Sequence, residues 1–148
     1  MQFRGKITGE SCTVTNNTTN PLTVTLGEVA VSTFGGTKGA QSSISPFKIN
    51  LTSCPASAKT VKVKFENAPH PDDASLLAPN AVAGVATGVG ILIADANNTI
   101  VRPRATSAAY TLAVGTNDLE FNARYQSTSA TVTAGPADTS TNFTLIYN

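Results

Sequence analysis

The residues best suited to catalysis are few and poorly assembled. The single histidine, His70, stands between two prolines and just before Asp72 and Asp73. A serine or cysteine nucleophile needs a base oriented by a third group, and no GxSxG turn supplies the nucleophile here. Two adjacent carboxylates without the spacing of a calcium-binding loop make a weak cation site. We therefore predict an exposed turn in this segment, no metal site and no enzymatic activity.

A second candidate for chemistry is the group of small residues Gly84, Gly88 and Gly90. A phosphate-binding loop would continue into Gly-Lys-Ser/Thr, and a dinucleotide-binding turn would complete GxGxxG, but neither motif is present. The glycines are better explained as small residues in or beside a buried strand. We predict no cofactor and no small-molecule substrate.

The two cysteines, Cys12 and Cys54, are 54 − 12 = 42 positions apart. No CxxC pair and no second histidine completes a zinc set. One disulfide explains them best and implies an oxidising compartment, and the alternative is two unpaired buried thiols.

Net charge and hydrophobicity argue against two further classes of protein, those that bind nucleic acid and those that bind or span membranes. Lys and Arg number 10 against 9 Asp and Glu, so a net charge of +1 gives no basis for binding nucleic acid or an anionic membrane. No segment approaches the ~20 consecutive apolar residues of a membrane-spanning helix, and the first residues lack the apolar core of a signal peptide. The length of 148 residues fits a single domain, 1–148.

The elements that must position any site are strands, because the dominant hydrophobic period is two. Alternating or apolar runs predict strands at Phe3–Ile7, Val24–Leu26, Phe47–Leu51, Val61–Phe65, Val89–Asp95, Leu119–Tyr125 and Phe143–Tyr147. The run at 89–95 is almost wholly apolar, which favours burial on both faces, whereas Lys62 and Lys64 mark a solvated strand face. The segment Asp73–Ala83 is compatible with a short helical turn. Seven or eight short strands with frequent turns predict an immunoglobulin-type β-sandwich.

Several motifs in order resemble the fimbrial (pilus) subunits of the bacterial chaperone–usher pathway, of the type 1-like family. They are Phe3-x-Gly5-x-Ile7 with Cys12-x-Val14, Leu26-Gly27-x-Val29 with Phe34, Phe47-x-Ile49-x-Leu51-x-x-Cys54, Gly88-Val89-Gly90-Ile91-x-Ile93-x-Asp95, and Leu119-x-Phe121-x-Ala123-x-Tyr125. The C-terminus is the most specific part, since Tyr147 is the penultimate residue and Gly135 is fourteenth from the end. The resemblance covers essentially the whole chain.

The resemblance implies an all-β, incomplete immunoglobulin-like sandwich that lacks its last strand and is completed by a donor strand from a partner. It implies a groove beside the C-terminal strand, formed by Phe143, Leu145 and Tyr147 together with Gly135 and the first-strand residues Phe3 and Ile7. It also implies that Cys12 and Cys54 staple the first two strands. The expected partners are a periplasmic pilus chaperone, neighbouring pilus subunits and the outer-membrane usher, first in the periplasm and then in the extracellular fimbrium.

The sequence departs from the family at its start, where only Met1 and Gln2 precede Phe3. We expect the donor extension to have been trimmed or never to have existed. Three other interpretations stay open: ordinary core alternation at Phe143–Tyr147, an adhesin or tip module that contacts a host glycan or protein, and an unrelated immunoglobulin-like domain of a sortase-type pilus or cell-surface protein. The motifs do not distinguish a major subunit from a minor subunit or a terminator.

Overall fold

The computed structural model describes residues 11–14, 28–139 and 141–147, and in these ranges the chain is built almost entirely of short antiparallel strands. The strands are β1 (Thr13–Val14), β2 (Ser45–Cys54), β3 (Thr60–Phe65), β4 (Pro69–His70), β5 (Asp73–Leu77), β6 (Val89–Asp95), β7 (Tyr110–Thr111), β8 (Gly115–Ser127) and β9 (Phe143–Tyr147), with one 3-10 turn at Val31–Phe34. The predicted all-β class is confirmed. The strands predicted at Phe3–Ile7 and Val24–Leu26 lie outside the described residues.

The strands form two sheets. The larger has the order β1-β2-β8-β6-β5-β4, and the smaller has the order β7-β3-β9. The long strand β8 is the centre of the larger sheet, because it pairs with β2 along one side and with β6 along the other. Alternate apolar residues of β2 and β8, among them Leu51, Leu119 and Phe121, belong to the core cluster.

The core lies between the two sheets. Ile49 and Leu51 of β2 and Val61 and Val63 of β3 are fully buried. Phe121 of β8 contacts the smaller sheet directly: the Phe65 ring lies 5.5 Å away in an edge-on arrangement, and the Tyr110 ring lies 5.4 Å away. These aromatic contacts join the sheets into one sandwich.

Strand β6 is buried along its whole length, as its apolar run predicts. One face joins the core through Ile91 and Ile93. The other face is covered in part by β5: a side chain at Gly90 would meet the Leu76 Cβ at 2.8 Å, so only glycine leaves room for that leucine. The interpretation of Gly88 and Gly90 as small residues in or beside a buried strand is confirmed.

The helical turn expected within Asp73–Ala83 is wrong, because Asp73–Leu77 forms strand β5. Leu76 and Leu77 are both buried, at 0% and 2% exposure, and as consecutive residues of a strand their side chains face opposite sides of the sheet. The exposed turn expected around His70 is also wrong in part. Pro69–His70 forms β4, pairs with β5 and is half-buried.

Within the described ranges, no helix is long and apolar enough to span a membrane.

Candidate functional site

Strand β9 forms an edge of the smaller sheet. It pairs with β3 from Phe143 opposite Phe65 to Tyr147 opposite Val61. In the part of the chain that the structure describes, no strand pairs with its other side. An edge strand presents a row of backbone N–H and C=O groups that can pair with an added strand. The geometry therefore offers a template for main-chain hydrogen bonds.

The inward face of β9 is apolar and incompletely covered. Phe143, Leu145 and Tyr147 pack against the core but are only half-buried. Their partners on β3, by contrast, are at most 3% exposed: Val61, Val63 and Phe65. Among the described residues, apolar surface and backbone groups without a strand partner thus occur together along β9.

The outward face of β9 differs in character. Thr144 and Ile146 point to solvent, and Thr144 donates a hydrogen bond through Oγ1 to the Glu66 carboxylate at 2.7 Å. On β3 the outward Lys62 is exposed, as predicted, and Lys64 lies 3.9 Å from Glu66. Strand β9 therefore has an apolar inward face and a solvated outward face.

The C-terminal end of β9 lies beside the disulfide. Cys12 and Cys54 are bonded, with an S–S distance of 2.05 Å, so the predicted pairing is confirmed and the alternative of two free thiols is wrong. Burial raises the pKa of Tyr147, and the backbone of Cys12 acts on the phenol in the opposite direction. The bond joins the residues just before β1 to the end of β2, and β1 itself pairs with β2 at Leu51 and Thr52.

Gly135 lies in the segment that leads toward β9, where two backbones pass close together. A Cβ at this position would clash with the carbonyl oxygen of Gly84 and would lie 2.8 Å from the amide nitrogen of Ala86. The approach is held by a 2.8 Å hydrogen bond from the Ala86 N–H to the Pro136 carbonyl oxygen. Glycine is required because any side chain would push the two segments apart.

A solvent-open cleft of about 420 Å³ lies beside Gly135. Its walls come from three regions: the stretch around the 3-10 turn, the ends of β6 and β8, and the segment before β9. The lining residues are Glu28, Val29, Val31, Phe34, Ala86, Val89, Tyr125, Val132, Thr133, Ala134, Gly135, Pro136, Ala137 and Asp138. Tyr125 belongs both to this cleft and to the set of side chains, including Phe143, that pack on the core.

Sequence reasoning identified Gly135 but missed the cleft around it. Val29 and Phe34 were noted among the family motifs, yet nothing in their spacing placed them against Asp138, more than a hundred positions later. The other two predicted groove residues, Phe3 and Ile7, lie outside the described residues. The structure thus brings Phe143, Leu145 and Tyr147 onto one face and sets Gly135 beside the cleft.

The groups first considered for catalysis have local structural partners. The Asp72 N–H donates a 3.0 Å hydrogen bond to His70 Nδ1. The Asp73 carboxylate accepts from the Ser75 backbone at 3.0 Å and from its hydroxyl at 2.6 Å, and the hydroxyl bond, the larger cause, lowers the pKa of Asp73. These contacts account for the polar residues of the β4–β5 hairpin.

Fold and site together define a class: an immunoglobulin-like β-sandwich whose C-terminal edge strand carries an incompletely covered apolar face. Comparison with known proteins agrees. A family model described as fimbrial protein matches residues 1–148. The chain is 37% identical over 148 residues to long polar fimbria protein A of Salmonella typhimurium, covering 99% of this chain and 82% of that protein. It is 35% identical, with the same coverage, to a probable major fimbrial subunit of Escherichia coli O157:H7.

Among solved structures, the P pilus rod subunit PapA has a TM-score of 0.76 at 24% identity, over 93% of this chain and 99% of that one. The chain belongs to the fimbrial protein family. The resemblance predicted from its motifs is confirmed, and with it the immunoglobulin-like fold.

Proposed function

We propose that this chain is a structural subunit of a fimbrial shaft, folded as the single domain 1–148, and that an extended strand from a neighbouring subunit adds to it beside β9. Membership of the fimbrial family and the description of one relative as a probable major fimbrial subunit support a structural role. This role requires contacts between subunits and no catalysis. The tip-adhesin alternative has less support, because one of the relatives is described as a probable major fimbrial subunit.

The observation that carries the proposal is the combination found on β9. Its free edge supplies backbone hydrogen-bonding groups, and Phe143, Leu145 and Tyr147 supply half-covered apolar side chains at every second residue. Strand addition uses these two features, because backbone pairing gives affinity and side-chain pockets give selectivity. An exposed edge of this kind is an aggregation hazard unless another strand covers it.

The exposure of the β9 edge is also the reason for proposing two partners that act before the neighbouring subunit. A periplasmic chaperone would cover the edge until assembly, and an outer-membrane usher would exchange that cover for the strand of the next subunit. The chain would then pass from the periplasm to the extracellular fimbrium. The Cys12–Cys54 bond supports passage through an oxidising compartment.

The test compares two neighbouring positions on β9. Leu145→Asp places a charge on the inward face, where it would be buried without a partner when a strand is added. Ile146→Asp, the matched control, places the same charge on the outward face, where the side chain is already 41% exposed. We expect Leu145→Asp to abolish co-purification with the periplasmic chaperone and Ile146→Asp to retain it. Equal retention by both variants would refute the assignment of the site.

A second measurement distinguishes the kinds of subunit. The chaperone complex is mixed with synthetic N-terminal segments of candidate neighbouring subunits, and release of the chaperone is followed over time. Displacement by a segment is expected for a subunit that extends the shaft. Resistance to every segment would instead identify a terminator.

A further inference from the structure

The cleft beside Gly135 is lined mainly by apolar side chains and carries two exposed acidic residues. Valine, alanine and phenylalanine side chains form most of the lining, including Val29, Phe34 and Val132. Glu28 and Asp138 are the charged residues of the lining, both are exposed, and none of the described residues that line the cleft is a lysine, arginine or histidine. Among the described residues, the lining of the cleft therefore carries two negative charges and no compensating cation.

Neither carboxylate is engaged elsewhere in the described part of the chain. The salt bridge found there joins Lys64 to Glu66 on the outer face of β3. Asp138 uses its backbone carbonyl oxygen to accept a 2.7 Å hydrogen bond from the Asn80 N–H, so this bond holds the residue without using its carboxylate. Nearby, the Tyr125 hydroxyl donates to the Ala137 carbonyl oxygen at 3.2 Å.

We propose that Glu28 and Asp138 select the incoming strand by charge: the cleft takes an apolar side chain of that strand, and the two carboxylates favour a lysine or arginine next to it. This inference rests on the proposed function and names the chemistry of the partner. A negative opening around an apolar floor complements a segment of that pattern and repels one that carries an acidic residue there. The partner is thus an extended segment of a neighbouring subunit with a basic residue beside its apolar anchor.

The location supports a role in selection. The segment 132–138 precedes β9, and the cleft shares Tyr125 with the core on which Phe143 packs. A strand that adds along β9 and continues past Phe143 toward the segment 132–138 would reach the cleft, and its other end would lie beside the disulfide at Tyr147. We expect the charge preference at the end of the strand near Phe143 and not at the end near Tyr147.

The test uses one synthetic peptide of alternating apolar and polar residues that binds the chain, made with Lys, Gln or Glu beside its terminal apolar residue. The substitution is placed at either end in separate peptides, so the end near Tyr147 is an internal control. We expect the Lys peptide to bind about fivefold tighter than the Glu peptide when the charge lies at the cleft end. The difference should shrink as salt is raised.

Variants of the chain identify the groups responsible. Asp138→Asn and Glu28→Gln should each reduce the preference for Lys over Glu, and the double variant should remove it. Glu120→Gln, which neutralises an exposed carboxylate on the outer face of β8, is the matched control and should leave the preference unchanged.

The outcomes separate this inference from the proposed function. If Lys and Glu peptides bind equally well while Leu145→Asp abolishes binding of both, strand addition stands and selection by charge is refuted. If no peptide binds the wild-type chain, the proposed function fails and this inference fails with it.

Discussion

Tyr110 contacts both sheets, and the ionisation of its phenol makes the stability of the fold depend on pH. Its ring lies 5.4 Å from the ring of Phe121, and its hydroxyl donates a 2.8 Å hydrogen bond to the Glu120 carbonyl oxygen. Burial, the larger cause, together with the carboxylates of Asp95 and Glu120, raises the pKa of Tyr110 to about 12 from its ordinary value of 10.0. The folded state therefore favours the neutral phenol more than the unfolded state does.

From this shift we predict alkaline destabilisation. Because the folded pKa is raised, the contribution of Tyr110 to stability is fully present below pH 10 and is lost as pH rises from 10 toward 12. Tyr110→Phe should lose about 1 kcal/mol at neutral pH, since one hydrogen bond is removed. Its free energy of unfolding should then fall less steeply across this interval. Urea unfolding at a series of pH values measures both slopes, and parallel slopes would contradict the assignment.

Tyr125 and Tyr147 serve as the internal reference for that experiment. Burial raises the pKa of each, so both contribute alkaline destabilisation of the same sign. They remain in Tyr110→Phe, and some dependence on pH is therefore expected to persist in the variant.

At the scale of elements, the disulfide secures β1, which with β4 is one of the two shortest strands of the larger sheet. Strand β1 has only two paired residues, Thr13 and Val14, too few to hold the segment by hydrogen bonds alone. Cys12 and Cys54 are 7% and 2% exposed, so the bond lies inside the core and closes a loop with a sequence separation of 42. The covalent link compensates for the weak pairing.

We predict that replacing both cysteines by alanine lowers the free energy of unfolding by about 4 kcal/mol, the value that the chain-entropy model gives for a loop of this size. Urea unfolding of the oxidised wild type and of the double variant provides the measurement. Adding a reductant should destabilise the wild type and leave the variant unaffected. A loss well below 1 kcal/mol would show that β1 is held by packing instead.

At the scale of the whole molecule, the proposed strand addition at β9 would make the stability of the chain depend on a partner. A strand that binds the folded chain and not the unfolded one stabilises it by mass action, by about 2.7 kcal/mol at a hundredfold excess over Kd. For a chain of this length, such a gain raises Tm by roughly 5–10 °C. We expect that rise when a donor peptide is added and none with a scrambled peptide. High, peptide-independent stability of the isolated chain would contradict the proposal.

The sequence predicted strands reliably where both the period and the burial were unambiguous. The alternation at Val61–Phe65 and Leu119–Tyr125 and the apolar run at Val89–Asp95 each correspond to an observed strand. The prediction of a helical turn within Asp73–Ala83 was wrong, because two adjacent leucines fit a helix and a two-sided strand equally well by composition. Only the neighbouring β6, with Gly90 beneath Leu76, decides between them.

The features of the candidate site were likewise predicted from the sequence only in part. Local alternation by itself determined that Phe143, Leu145 and Tyr147 share a face, because side chains in a strand alternate whatever surrounds them. The family motifs identified Gly135 and the likeness to fimbrial subunits. Tertiary structure decided three further relations among the described residues. Strand β9 lies at an edge of its sheet, Gly135 passes against Gly84 and Ala86, and Glu28 and Asp138 line the same cleft. The physical reason is that these relations join residues far apart in the chain, and no local period encodes which distant segments meet.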